Sequence, residues 1–370
     1  MNYPSYTLVE VLRDPAILQS LTLDDWNVLI PQARHALLLG RLHVLIEQNN
    51  LTDSLPSAPL NHSLSAFLAS EKQRATTLWE VTKIIKALEP ISAPVILLKG
   101  AAYIASGLDL AKGRLLSDID LLVSKKQIKE AEQAFASHGW ISSKTDSYDQ
   151  RYYREWMHEI PPLQHLVRKG FLDVHHTILP PTAKYKPDPN KIIDAKREIS
   201  PGVFTLCSED ILIHSTTHLF HEGEFDHGLR DLNDIKELLC YFEQNESGFW
   251  DRLVPRAKEL GLLKPLYYGL HYSKQILQAQ VPDNVMRSAH CGAPGVLMGR
   301  LMDWLFLRAL RPNHPSCNMP GSSLARLLLY IRSHYLRMPM HLLFPHLIRK
   351  AWKKRFEKKE DQVVLMPKQP

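Results

Sequence analysis

Asp118 and Asp120 stand two residues apart in the string Ser117-Asp118-Ile119-Asp120-Leu121-Leu122-Val123. In an extended strand side chains alternate between faces, so both carboxylates project from one side while Ile119, Leu121 and Val123 turn toward a core. Adjacent carboxylates repel each other unless a cation neutralises them, and hard oxygen donors of this kind suit a divalent metal. Upstream, the apolar run Val95-Ile96-Leu97-Leu98 ends in a Lys99-Gly100 turn, and the basic loop Lys112-Gly113-Arg114 then leads into the two acids. The bland reading of a lone Asp-x-Asp is a surface strand or turn. The ordered set of turn, helix and acid-bearing strand is harder to reach by accident.

That order resembles the signature of the DNA polymerase beta-like nucleotidyltransferase superfamily. Leu98-Lys99-Gly100, Arg114 and the string from Ser117 to Val123 are similar, more closely, to a bacterial family of uncharacterised nucleotidyltransferases. The turn reads Gly100-Ala101 where the superfamily usually carries Gly-Ser or Gly-Gly. The resemblance covers roughly residues 95–179 and implies a third carboxylate on a later strand. Residues 163–167 and 171–178 read as a β-hairpin around Arg168-Lys169-Gly170, with glycine supplying the turn. In its second half, Leu172-Asp173-Val174-His175-His176 resembles the family's Asp-Leu-His-Trp string, which assigns Asp173 as the third acid, with His175 on the same face.

The resemblance implies an enzyme that binds a nucleoside triphosphate with Mg²⁺ or Mn²⁺, transfers a nucleoside monophosphate to an acceptor and releases pyrophosphate. Asp118, Asp120 and Asp173 would be the catalytic and metal-binding acids. Lys99 and Arg114 would contact phosphate, one as a point charge and one as a planar fork. Gly100 would let the backbone approach the phosphates at the following helix N-terminus, and Ser117 either binds phosphate or caps the turn. The alternative is a catalytically inactive nucleotide-binding or scaffold protein, peripheral to a membrane through its basic C-terminal helix.

The elements that must position these residues set the fold class: an α/β (α+β) chain, with a mixed-sheet nucleotidyltransferase core between N- and C-terminal helical regions. The expected divisions are a helical region at 1–90, the catalytic core at 91–205, a helical domain at 206–348 and a basic tail at 349–370. A chain of 370 residues is too long for one simple core. Residues 6–49 read as helical with breaks at Pro15 and Pro31, 50–62 as a loop, and 63–89 as a long helix. The proline-rich stretch 180–189 marks the exit from the hairpin. From Ser208 onward the pattern is helical, with segments at 250–263, 266–278, 298–310 and 324–336 and a polar loop at 311–323.

His214, His218 and His221 share a helical face, which reads better as support for the site than as a zinc set, since no carboxylate or cysteine partner stands at a recognisable spacing. His218 or Arg230 could approach a triphosphate. Asp231, Asp234, Lys236 and Glu237 read as a surface ion-paired helix. Cys207, Cys240, Cys291 and Cys317 have no paired spacing, which suggests free buried thiols and a reducing cytoplasm. No apolar run approaches membrane-spanning length, and no signal segment stands at the N-terminus.

The formal charge of +6 is matched by residues 349–359 alone, where seven bases face one acid. The remaining chain is neutral, which favours a small-molecule or protein acceptor over RNA. Trp352 and Phe356, four apart in that basic stretch, suit weak contact with an anionic membrane, or simple packing on the body.

Overall fold

The computed structural model describes residues 7–343, apart from 145, 222 and 340. The expected basic tail and its aromatic pair therefore lie outside the described residues. Seven strands form one mixed sheet: β1 (Val95–Leu98), β2 (Ile119–Leu122), β3 (Trp140–Ser142), β4 (Leu163–His165), β5 (Phe171–His175), β6 (Arg197–Ser200) and β7 (Val203–Thr205). Their order across the sheet is β3-β4-β5-β2-β1-β7-β6. β1 and β2 pair antiparallel at the centre, and each has a parallel partner on its other side, β7 and β5. Every residue of β1 and β2 is buried, as expected of central strands covered on both faces.

The α/β expectation holds, with helices flanking the sheet on both sides in sequence. The hairpin at β4 and β5 is present and antiparallel. Its left-handed turn residue is Lys169, at φ +61°, and not Gly170. His165 Nδ1 accepts from the backbone N–H groups of Val167 and Arg168, which winds the turn tightly enough to place the positive φ one residue early.

The N-terminal region departs in two details. Pro31 does not break its helix but sits inside Leu23–His35. The loop read at 50–62 is shorter, because a 32-residue helix, Ser57–Leu88, begins directly after Pro56. Pro59 falls in that helix's first turn, where a missing N–H breaks no bond.

Beyond the sheet, Ser208–His221, Gly228–Asn245, Phe249–Glu259, Leu263–Leu277, Val296–Ala309 and Ser322–Arg337 are helical. One apolar cluster runs from Leu8 to Leu329 through sheet and helices alike. Polar ties reinforce it across long sequence separations: Arg41 makes a two-pronged ion pair with Glu237, at 2.9 and 2.5 Å. Arg13 Nε donates to the Ile276 carbonyl, and Lys236 Nζ to that of Leu12.

Candidate active site

The antiparallel register of β1 against β2 sets Leu98 opposite Asp120. The next residue, Lys99, takes a left-handed backbone at φ +48°, a conformation that costs a non-glycine residue about 1–3 kcal/mol and concentrates at functional sites. From there its Nζ lies 2.7 Å from Asp120 Oδ1. Burial alone would depress the lysine, but Asp120, Asp118 and Glu159 outweigh it and hold the ammonium charged. Gly100 follows at the start of the short helix Lys99–Ala105. A Cβ there would collide with Leu116 Cδ2 and the Arg114 guanidinium, so the glycine makes room for the protein's own side chains.

The parallel register of β2 against β5 pairs Asp120 with Asp173 directly. Paired residues on neighbouring strands share a face, so the third acid stands beside the second. Asp120 is only 3% exposed. Burial works to raise its carboxyl, but Lys99 and His175, whose Nε2 is 3.0 Å from Oδ1, hold it well below the usual range.

The other acids go the opposite way. Burial and then Glu159, Asp118 and Asp120 push Asp173 up to about 7. Asp118 is raised by burial and by Asp120, with a hydrogen bond from Ser117 opposing. Glu159, brought alongside by a bridge to His175, is raised mainly by burial.

Lys99, Gly100, Arg114, Ser117, Asp118 and Asp120 converge on one cleft. Its cavity of about 160 Å³ is smaller than the roughly 300–1,000 Å³ of whole-ligand pockets, which suits the polar end of a substrate. Asp173 does not line this cavity but stands beside Asp120 on the neighbouring strand. His218, Arg230, Asp231 and Asp234 supply the opposite wall from the helical region.

The surface reading of the second helix is corrected here. Asp234 is 6% exposed and pairs with Arg114 at 2.9 Å, while Asp231 pairs with Arg230 at 2.7 Å. Leu229, Leu232 and Leu238 press that helix into the core, which carries its acids inward as well. Burial raises Asp234 to about 6 against the pull of Arg114. Tyr103 and Ser215 hydroxyls meet at 2.7 Å beside them.

Of the histidine face, His214 and His221 are buried, and His221 Nδ1 is 3.0 Å from the Thr217 carbonyl oxygen. His218, on the same face, lines the cleft. A group of three possible ligands among the described residues is made by other histidines, His158 and His175 with Glu159. Sequence spacing gave His158 and Glu159 no signal, because a bridge between distant segments creates the cluster. All four cysteines are free, but Cys240 and Cys291 are exposed and not buried as expected.

The donor set fits a divalent cation. Asp118, Asp120 and Asp173 offer hard oxygens, and Asp173 Oδ1 is buried with no hydrogen-bond partner among the described residues. A mixed sheet that aligns carboxylates beside a lysine- and arginine-walled cleft has the character of a nucleotidyltransferase core. The family model described as uncharacterised nucleotidyltransferase matches residues 22–278, and the chain belongs to that family. The match reaches well beyond residues 95–179 and takes in flanking helices on both sides, including the one that carries Arg230 and Asp234. No curated protein and no solved structure matches the chain.

Proposed function

We propose that the protein transfers a nucleoside monophosphate from a nucleoside triphosphate to an acceptor and releases pyrophosphate. The observation that carries this reading is the β2–β5 register, which sets Asp173 beside Asp120 at the edge of a cleft walled by Lys99, Arg114 and Arg230. Asp118, Asp120 and Asp173 hold Mg²⁺ or Mn²⁺, which when bound neutralises the triphosphate and polarises its phosphoryl oxygens. An acceptor hydroxyl oxygen attacks the α-phosphorus, the bond from that phosphorus to the oxygen bridging the β-phosphate breaks, and pyrophosphate leaves.

Asp173, beside Asp120 on the neighbouring strand, takes the hydroxyl proton. Lys99 and Arg114 bind phosphate by exchanging Asp120 and Asp234 for phosphoryl oxygens, with Ser117 beside them. The neutral charge of the chain outside residues 349–359 favours a small-molecule or protein acceptor over RNA. A cytoplasmic setting belongs to the same proposal; no described helix is long and apolar enough to cross a membrane.

The test is label transfer in a cell extract with each triphosphate labelled at either the α- or the γ-phosphorus. The α-label is expected to enter an acceptor product while the γ-label leaves in pyrophosphate, and Asp173→Asn is expected to abolish both. Label entering the product from the γ-position would instead establish a kinase.

One observation favours a second reading, a scaffold at an anionic membrane. Leu324, Leu327, Leu328, Ile331 and Tyr335 form an exposed stripe along Ser322–Arg337, a helix without acids, shortly before the basic stretch 349–359. Cosedimentation with anionic vesicles that is lost in Leu327→Glu/Ile331→Glu, in a chain unable to transfer label, would move this reading ahead.

A further inference from the structure

Beside Asp120, but outside the lining of the cleft, stand His158, Glu159 and His175. One ligand-capable atom from each lies within 4.8 Å of the others. Backbone pairing fixes them: Glu159 bridges to His175, and the His176 N–H donates to the His158 carbonyl. The two rings are in contact, with centroids 5.0 Å apart.

Each ring carries an unsatisfied nitrogen. His158 Nδ1 and His175 Nδ1 are both buried without a hydrogen-bond partner among the described residues. A buried polar atom left unpaired is costly, and two in touching rings call for a common cause. The other nitrogen of His175 supplies one. Its Nε2 lies 3.0 Å from Asp120 Oδ1 and 3.5 Å from Glu159 Oε2. A metal-bound imidazole characteristically ligates through one nitrogen and donates its other N–H to a carboxylate. The atom of that ring left without a partner among the described residues is Nδ1.

We propose that His158, Glu159 and His175 form a site for a borderline divalent metal of the Zn²⁺ class, separate from the all-oxygen site of Asp118, Asp120 and Asp173. Two imidazoles and one glutamate are a donor set that Zn²⁺ takes with a fourth position left open, whereas Mg²⁺ selects oxygens. Asp120 Oδ1 contacts His175 Nε2 and orients the ring from outside the group. Metal held by His175 would fix its ring and thereby hold the Asp120 carboxylate in place, which makes His175 a positioning residue for the cleft. The inference does not depend on nucleotide binding.

The experiment uses the full chain with Zn²⁺ alone, without nucleotide. X-ray absorption at the zinc edge is expected to show two imidazole nitrogens at about 2.0–2.1 Å. Calorimetry is expected to give an affinity that falls about tenfold or more in His158→Gln and in Glu159→Gln and persists in Asp118→Ala. The absorption spectrum of the wild type stands even if a variant fails to fold. A spectrum of oxygen scatterers alone, affinity lost in Asp118→Ala but kept in His158→Gln, or no Zn²⁺ binding would each overturn the site. Failure of Mg²⁺-dependent nucleotide binding would leave it standing.

Discussion

Asp173 carries a conflict between stability and function. Its carboxyl sits near 7 in the folded chain against 3.8 when free. Between those values the unfolded chain releases a proton that the folded chain keeps, so the metal-free protein loses stability as pH rises from about 4 to about 7. At about 1.4 kcal/mol per unit the loss reaches roughly 2–4 kcal/mol. Asp173→Asn should therefore raise the Tm of the metal-free protein at pH 8 and change it little at pH 4, by thermal melts at both pH values. Added Mg²⁺ should raise the wild-type Tm at pH 8 and leave the Asn variant unmoved, since only a bound ligand stabilises. At this scale Asp118 and Asp120 were legible because their period of two is local. Asp173 needed the family string, and Glu159 was illegible because no spacing within its own segment announces it.

The second scale is the joining of elements. Helix Gly228–Asn245 reaches the sheet's loop through the buried pair Arg114–Asp234. Removing one partner strands the other, so Arg114→Ala should cost about 3–5 kcal/mol in denaturant unfolding. Arg114→Met/Asp234→Leu should recover most of that stability, yet should still weaken triphosphate binding by calorimetry. A double variant with full binding would remove Arg114 from the phosphate contacts. Gly100→Ala should also destabilise, by about 1–3 kcal/mol, because its Cβ meets Leu116 and Arg114. The sequence disclosed a glycine at the turn but not its neighbours, which arrive from residues 114 and 116 only after the loop folds back. The acidic helix was misread for a related reason: its charges looked solvated until partners outside the helix, Arg114 and Arg41, were in place.

At the scale of the molecule, core and flanks are interlocked. The apolar cluster runs on across residues 90/91 and 205/206, and Arg13, Arg41 and Lys236 tie the first helices to Gly228–Asn245 and Leu263–Leu277. A fragment of residues 91–205 should therefore lack a cooperative melt by circular dichroism, while the full chain shows one. The central strands, the hairpin and the helices after Ser208 were legible from periodicity and turn residues, while β3, β6 and β7 went unread. The closing of the cleft by the C-terminal helices was not legible, because it rests on contacts such as Arg114–Asp234, 120 residues apart. The central claim is that Asp118 and Asp120 make this cleft a metal-dependent nucleotide site. The measurement that meets it most directly is calorimetry of each nucleoside triphosphate with and without Mg²⁺, wild type beside Asp118→Ala/Asp120→Ala. The account predicts Mg²⁺-dependent binding to the wild type and none to the folded double variant. Equal binding by both proteins, or none by a folded wild type, would contradict it.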